Sequence, residues 1–328
     1  MKQLKIILLI CSLLMLIPTI ILSNGKKQKK DSKVKELFSI VLKKNNALSD
    51  TTEDNVEYPS DIQYFDHKIY ILSGHERKVV IYDLKSDNLT EFEGINKTLK
   101  SMYAHDNKSS EPEFIRILNK YIIIDCNDKV LIFDKDGELI KKLIFQHNIQ
   151  YITAEGNKLY IWSYNEITKV NLDDKFQFEK IKTSIDLPYV ADDDLVAFGG
   201  DLFDEFKGLI IVSSQDSATL KTIDTKQINY VEYPEIMKRN VSLNCVTPLY
   251  YVWYSWIIGP EFFIINKNSG ATNKIPLPIN ITQDYLSEEE GGGSRGFKIT
   301  NNADQFLYIM VMKRENRQKK IIVYELDL

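Results

Sequence analysis

Residues 130–143 read VLIFDKDGELIKKL: an apolar run that favours a strand, an Asp-Lys-Asp-Gly turn, and a second run that returns. The same layout recurs along the chain. VVIYDLKSDNLTEF begins at Val79, EITKVNLDDKFQFEKI at Glu166, LKTIDTKQINYVEY at Leu220 and FFIINKNSGATNKI at Phe262, while IIVYELDL begins at Ile321 and runs out of chain. The landmark residues Asp83, Asp134, Asn171, Asp224, Asn266 and Glu325 lie 51, 37, 53, 42 and 59 residues apart. A period of about 40–50 residues is that of propeller blades.

Each copy is preceded by a further strand-like run: KIYILS from Lys68, KYIIID from Lys120, KLYIWS from Lys158, LIIVSS from Leu209, LYYVWY from Leu249 and FLYIMVM from Phe306. Short polar links between these runs and the landmark strands predict an antiparallel meander of three to four strands per unit. The Asp or Asn at the landmark accepts hydrogen bonds from backbone two residues on and starts a tight reversal, and Gly137 and Gly270 supply positive φ where the chain turns back. Such units cannot bury both faces alone, so they stack radially.

The expected fold is therefore all-β: a six-bladed β-propeller of antiparallel four-stranded blades, preceded by an N-terminal hydrophobic helix or signal segment. The sixth copy lacks an outer strand. Its donor is expected in the N-terminal part of the body, either KELFSIVL at Lys35 or VEYPSDI at Val56. The domain division follows as 1–25, signal peptide or membrane anchor; 26–54, a basic linker with a strand to contribute; and 55–328, the propeller.

The N-terminal segment has Lys2 and Lys5, then a largely apolar run over 6–22 broken by Pro18, then Ser23-Asn24-Gly25. This is the layout of a secretory signal. An uncleaved anchor is the alternative, because the apolar run approaches the length that spans a bilayer, and the six lysines from Lys26 to Lys35 would then hold the body in the cytoplasm. Membrane contact is assigned to this segment only. A lipid anchor is disfavoured, since Cys11 lies inside the apolar run and follows Ile10.

Residues 1–36 hold eight of the 42 basic residues and two of the 46 acidic ones, so the body carries 34 basic and 44 acidic residues, a net of −10. That surface repels phosphate backbones, which excludes nucleic acid as the expected partner. Cys126 and Cys245, too few and too far apart in sequence for a zinc motif, are read as buried thiols. The sequons at Asn88, Asn96, Asn107, Asn240 and Asn280 occur at a near-chance rate in so Asn-rich a chain.

Over residues 110–143, SEPEFIRILNKYIIIDCNDKVLIFDKDGELIKKL, the chain resembles the second blade of the exported six-bladed β-propeller proteins of Bacteroides-like bacteria and, more distantly, NHL-type repeats. Glu111-Pro112-Glu113-Phe114 stands where that family has a Gly-Pro-Gly-Glu-Phe-like segment, and both glycines are missing. A second echo is FFIINKNSGATNKI, followed by an acidic, glycine-rich stretch. The resemblance implies a six-bladed fold and an exported, often envelope-attached protein. It carries over no catalytic residues.

Catalytic and metal motifs point to turns instead. Gly292-Gly293-Ser294-Arg295-Gly296 satisfies Gly-x-Ser-x-Gly, but that motif needs a strand before the Ser and a helix after it, and here an acidic run precedes and FKITNN follows. Asp134-Lys135-Asp136-Gly137 lacks the later ligands of a calcium loop. The four histidines have no metal-ligand spacing, and Asp192-Asp193-Asp194 reads as a solvated loop. No catalytic residue, metal ligand or cofactor is expected.

Propellers bind at the channel end built by loops between blades and between the second and third strands of each blade. On the repeat above those loops hold His75, Arg77, Asn127, Asp128, Tyr164, Asn165, Trp256, Arg314 and Arg317, joined by Arg295 in the loop 282–296. Trp256 in a loop would offer a stacking surface to a sugar or peptide. The expected function is a non-enzymatic binding or scaffold module of the cell envelope, exported to the periplasm or attached there, recognising a protein or glycan with that face. The alternatives are a propeller-type lyase or hydrolase at the channel mouth, and a cytoplasmic body tethered by the N-terminal helix.

Overall fold

The computed structural model describes residues 34–41, 59–74, 76–103, 111–163, 166–173, 175–182, 189–191, 194–199, 208–212, 219–223, 242–254, 261–276, 298–302, 305–315 and 318–328. The readings of the signal segment, of Asp192-Asp193, of the Gly-x-Ser-x-Gly loop and of Trp256 fall outside them. Among the described residues, no helix is long and apolar enough to cross a membrane.

The first strand, β1 (Val34–Val41), stands apart from the order that follows. One blade comprises β2 (Pro59–Phe65), β3 (Lys68–Ser73), β4 (Lys78–Asp83) and β5 (Asn88–Glu91). The next comprises β6 (Ile115–Ile117), β7 (Ile122–Cys126), β8 (Lys129–Phe133) and β9 (Leu139–Ile144), and the third β10 (Tyr151–Glu155), β11 (Lys158–Ser163), β12 (Glu166–Asn171) and β13 (Gln177–Lys182). The fourth has β14 (Tyr189–Ala191), β15 (Asp194–Gly199), β16 (Gly208–Val212) and β17 (Thr219–Ile223). The fifth has β18 (Ser242–Val246), β19 (Tyr250–Tyr254), β20 (Glu261–Asn266) and β21 (Thr272–Pro276). A last sheet contains β22 (Lys298–Asn302), β23 (Phe306–Glu315) and β24 (Gln318–Asp327), with β1 added outside β24.

The expectation of six blades is thereby corrected. Five blades are built from four consecutive strands each, and the remaining four-stranded sheet is a composite of the two ends of the described chain, in the order β1-β24-β23-β22. Its outer strand is Val34–Val41, whereas Pro59–Phe65, inside the other stretch considered as donor, is the inner strand of the first blade. The copy at Leu220 was also misplaced by one strand: Thr219–Ile223 is the outer strand of the fourth blade, and LIIVSS contributes its third strand, not its second. Second and third strands are both apolar runs, so spacing alone did not tell them apart.

Burial explains the radial stacking. The second strand is sandwiched on both faces and reads as a continuous apolar run, as in Ile122–Cys126, where every residue is buried. The outer strand of the first blade, Asn88–Glu91, is exposed throughout. Because successive side chains point to opposite faces, Tyr70 and Leu72 pack toward the second blade with Ile122 and Ile124, while Ile69 and Ile71 pack toward the composite sheet with Tyr308 and Met310. Ile123 turns the other way, onto Ile152 and Ile161 of the third blade. The inner strands contact one another in sequence, β2 with β6, then β10, β14, β18 and β22, and β22 returns to β2. The chain is a closed β-propeller.

The landmark turns follow the expected chemistry. Asp83 Oδ1 accepts hydrogen bonds from Lys85 N (2.8 Å) and Ser86 N (3.0 Å), Asp134 Oδ1 from Asp136 N (3.0 Å) and Glu138 N (2.8 Å), and Asn266 Oδ1 from Asn268 N (3.0 Å) and Ser269 N (2.9 Å). Gly137 sits at φ 87°, and a Cβ there would meet Phe92 at 2.8 Å.

Among the described residues, one helix breaks the all-β pattern: α1 (Glu93–Tyr103), between the first and second blades. Ile95, Leu99 and Met102 form its apolar stripe against the core those blades share. Its buried Asn96 accepts from Val79 N (2.7 Å) and donates to Val79 O (3.3 Å), completing the pairing of β4 where β5 has ended. A side chain so enclosed gives that sequon a structural role.

Candidate functional site

In an antiparallel meander that enters each blade at its inner strand, the connections between second and third strands lie at the same end of the ring as the connections between blades. Arg77, Asn127 and Asp128 stand on such connections in the first and second blades. Arg77 and Asn127 both adopt the left-handed backbone, at φ 54° and 61°, which sharpens the reversals that carry them. Asp128 is held to Lys129 by an ion pair of 2.9 Å, and its carbonyl accepts from Phe145 N at 2.8 Å. Arg314 lies on β23, paired with Lys319 of β24, just before the corresponding connection of the composite sheet. His75, Tyr164, Asn165, Trp256, Arg295 and Arg317 lie outside the described residues.

Beneath this end, the inner strands bring together groups that sequence reasoning did not single out. Asp61 on β2 and Arg116 on β6 are both buried, and Arg116 Nη1 donates to Asp61 Oδ2 (2.5 Å) and to its neighbour's carbonyl, Ile115 O (2.6 Å). Asp61 Oδ2 also accepts from Ile115 N (3.0 Å), and Oδ1 from Ile62 N (2.9 Å). The guanidinium lies 5.5 Å from the ring centroid of Tyr151 on β10 and 5.8 Å from that of Phe114. Three successive inner strands thus meet at one cation.

A second carboxylate supports the first. Asp125, near the end of β7 and 1% exposed, accepts from Phe114 N (2.6 Å) and Glu113 N (2.9 Å), and so fixes the segment that leads into Arg116. Burial pushes its pKa up to about 7, against the two backbone hydrogen bonds that favour the charged form. On β18, Cys245 is buried and receives Asn301 Nδ2 of β22 at 2.7 Å. Burial raises this thiol to about 12, outweighing the Asn301 hydrogen bond and the Arg116 charge, which pull it down.

Chemically this floor is closed. Asp61 and Asp125 are engaged by backbone N–H groups, Cys245 stays protonated near neutral pH, and Cys126 is likewise buried. Among the described residues no group of three or more His, Cys, Asp or Glu side chains is placed to hold a metal. The signal that could have located the cluster is a charged residue inside an apolar alternation, as Arg116 is in FIRIL.

No family model and no curated protein matches the chain. Solved structures resemble it in fold. The Pan2 WD40 domain of Neurospora crassa is 8% identical, with 89% of this chain and 95% of that one covered and a TM-score of 0.49. The extracellular domain of a putative one-component system from B. thetaiotaomicron is 12% identical, covering 77% of this chain and 32% of that one at a TM-score of 0.44. Streptogramin B lyase is 11% identical, covering 87% and 97% at a TM-score of 0.43. At such identities the likeness is one of fold alone, and the propeller assignment here stands on the sheet order and its closure.

Proposed function

We propose that the chain is a non-enzymatic binding or scaffold module of the cell envelope, exported through its N-terminal segment, that recognises a protein or glycan with the loop end of the propeller. The observation that carries this reading is the closed floor. Asp61, Arg116 and Cys245 are buried and engaged between inner strands, and buried Asp125 holds the segment that leads into β6, which leaves recognition to the loops above them. The net charge of −10 on the body favours a neutral or cationic ligand over a polyanion.

The test is a binding screen of the full chain against envelope polysaccharides and envelope proteins, repeated with an Arg77→Ala/Asp128→Ala variant, with products examined by mass spectrometry. The reading expects a ligand whose affinity falls in the variant and which is recovered chemically intact. Cleavage of a glycan, lost on replacing residues of the floor, would establish the lyase or hydrolase instead. Protease accessibility of the body in intact and osmotically shocked cells decides export separately from binding.

A further inference from the structure

We infer that the outer edge of β9 is a docking strand for an extended peptide of a partner protein, one in which an acidic residue is flanked at both second neighbours by apolar ones. This surface lies on the rim of the second blade and is independent of the loop end.

Among the described strands, β9 pairs with β8 on one side only and forms the outer edge of its sheet. Leu143 alone of its six residues is buried, packed among Ile123, Val130 and Ile152 between the second and third blades. By alternation Lys142 and Ile144 share the opposite face, and Ile140 stands at the bulge that shifts the β8–β9 register between Ile132 and Phe133. Ile140 is 46% and Ile144 68% exposed, so the strand presents exposed apolar residues on either side of a basic one, beside an edge of backbone groups available for pairing.

Two other outer strands differ. On β13, Lys180 pairs with Glu166 (2.9 Å) and Glu179 with Lys169 (3.3 Å), both within their own sheet. The four-residue β5 has Glu91 near Lys78 (3.9 Å). Lys142 makes no ion pair with any described residue, and Lys141 is turned to the other face, 5.9 Å from the Phe176 ring centroid.

Charge selects the occupant. A second copy pairing antiparallel about a two-fold axis through Lys141 or Lys142 would set that lysine directly opposite its own copy, and like charges directly opposite destabilise a strand pair. Lysines on an edge strand are also a device that keeps copies apart. An acidic residue opposite Lys142 reverses that sign, and apolar residues two positions away on either side cover Ile140 and Ile144.

The probes are the labelled peptides TVTETVT and TVTKTVT, titrated against the purified full chain at low salt with fluorescence anisotropy. The acidic peptide is expected to bind about fivefold tighter than the basic one, and Lys142→Glu to invert the order. Ile140→Thr/Ile144→Thr is expected to weaken the acidic peptide about tenfold with an unchanged thermal transition, since both side chains are already exposed. Equal affinity for the two peptides, or a preference that Lys142→Glu leaves in place, overturns the inference. So does a concentration-dependent dimer abolished by the double Thr variant, which would make a second copy the occupant.

Discussion

Arg116 and Asp61, 55 residues apart in sequence, meet at 2.5 Å between the inner strands of adjacent blades, and both are buried. Together with Ile115 N, which donates to the same Asp61 oxygen, the pair couples two sheets whose shared core is apolar. Removing one partner leaves the other charged and enclosed, which costs about 3–5 kcal/mol. Arg116→Met should therefore destabilise the propeller severely, whereas Asp61→Asn/Arg116→Met should recover part of the loss, because Asn keeps an acceptor for Ile115 N. Urea unfolding of the two variants checks this; equal losses would show that the ion pair itself matters little.

Asp125 makes stability depend on pH with a sign opposite to that of a salt-bridged carboxylate. Its folded pKa, about 7, lies above the ordinary value of 3.8, so between those values the folded state holds more protons than the unfolded one. Stability from this group is full below pH 3.8 and is lost as pH rises toward about 7. Asp125→Asn should remove that slope from the melting temperature between about pH 4 and 7 while still accepting from Phe114 N or Glu113 N. Asp125→Ala, which orphans both N–H groups, should cost about 1–3 kcal/mol for each.

Lys135 titrates at the opposite end of the scale. Its Nζ is buried, lies 3.8 Å from the Phe65 ring centroid and has no hydrogen-bond partner among the described residues. Burial lowers its pKa to about 8, with Lys68 adding to the shift and Asp66 opposing it. The unfolded chain binds the extra proton above pH 8, so stability should rise between about pH 8 and 9.5. Lys135→Met should abolish that rise. Melting temperatures of the two proteins across this range are the measurement, and parallel profiles would refute the assignment.

What could be read in the sequence was local. Asp83, Asp134 and Asn266 announce turns because an Asx side chain bonds to backbone two or three residues away, and IYIL and YIIID announce strands because sheets sandwiched on both faces need unbroken apolar runs. Strand placement failed where locality failed. The strand at Thr219 resembles the third strands of other blades, and only its pairing with β16 fixes it as the outer one. Helix α1 hid a stripe of Ile95, Leu99 and Met102 between two strand patterns. Asp61, Arg116 and Asp125 were invisible as a set, since nothing in their spacing reports that β2, β6 and β7 bring them together.

Closure by β1 yields the largest expected effect. Val34–Val41 pairs antiparallel with β24, from Val34 opposite Leu326 to Val41 opposite Lys320, with a bulge between Glu36 and Phe38. The Phe38 ring stacks on Tyr82 of the first blade at 3.8 Å, and Leu37 and Ile40 also pack against the core that blade shares with the composite sheet. Deleting residues 34–41 would expose the edge of β24 and these apolar contacts together, and an unpaired ten-residue edge invites association between copies. Loss of the cooperative thermal transition, or a transition accompanied by aggregation, is expected of the deletion. Phe38→Ala alone removes the ring stack and should cost about 2–4 kcal/mol with the ring still closed. A deletion variant as stable and monomeric as the parent would mean that β24 tolerates an open edge and that the composite sheet needs only its three C-terminal strands.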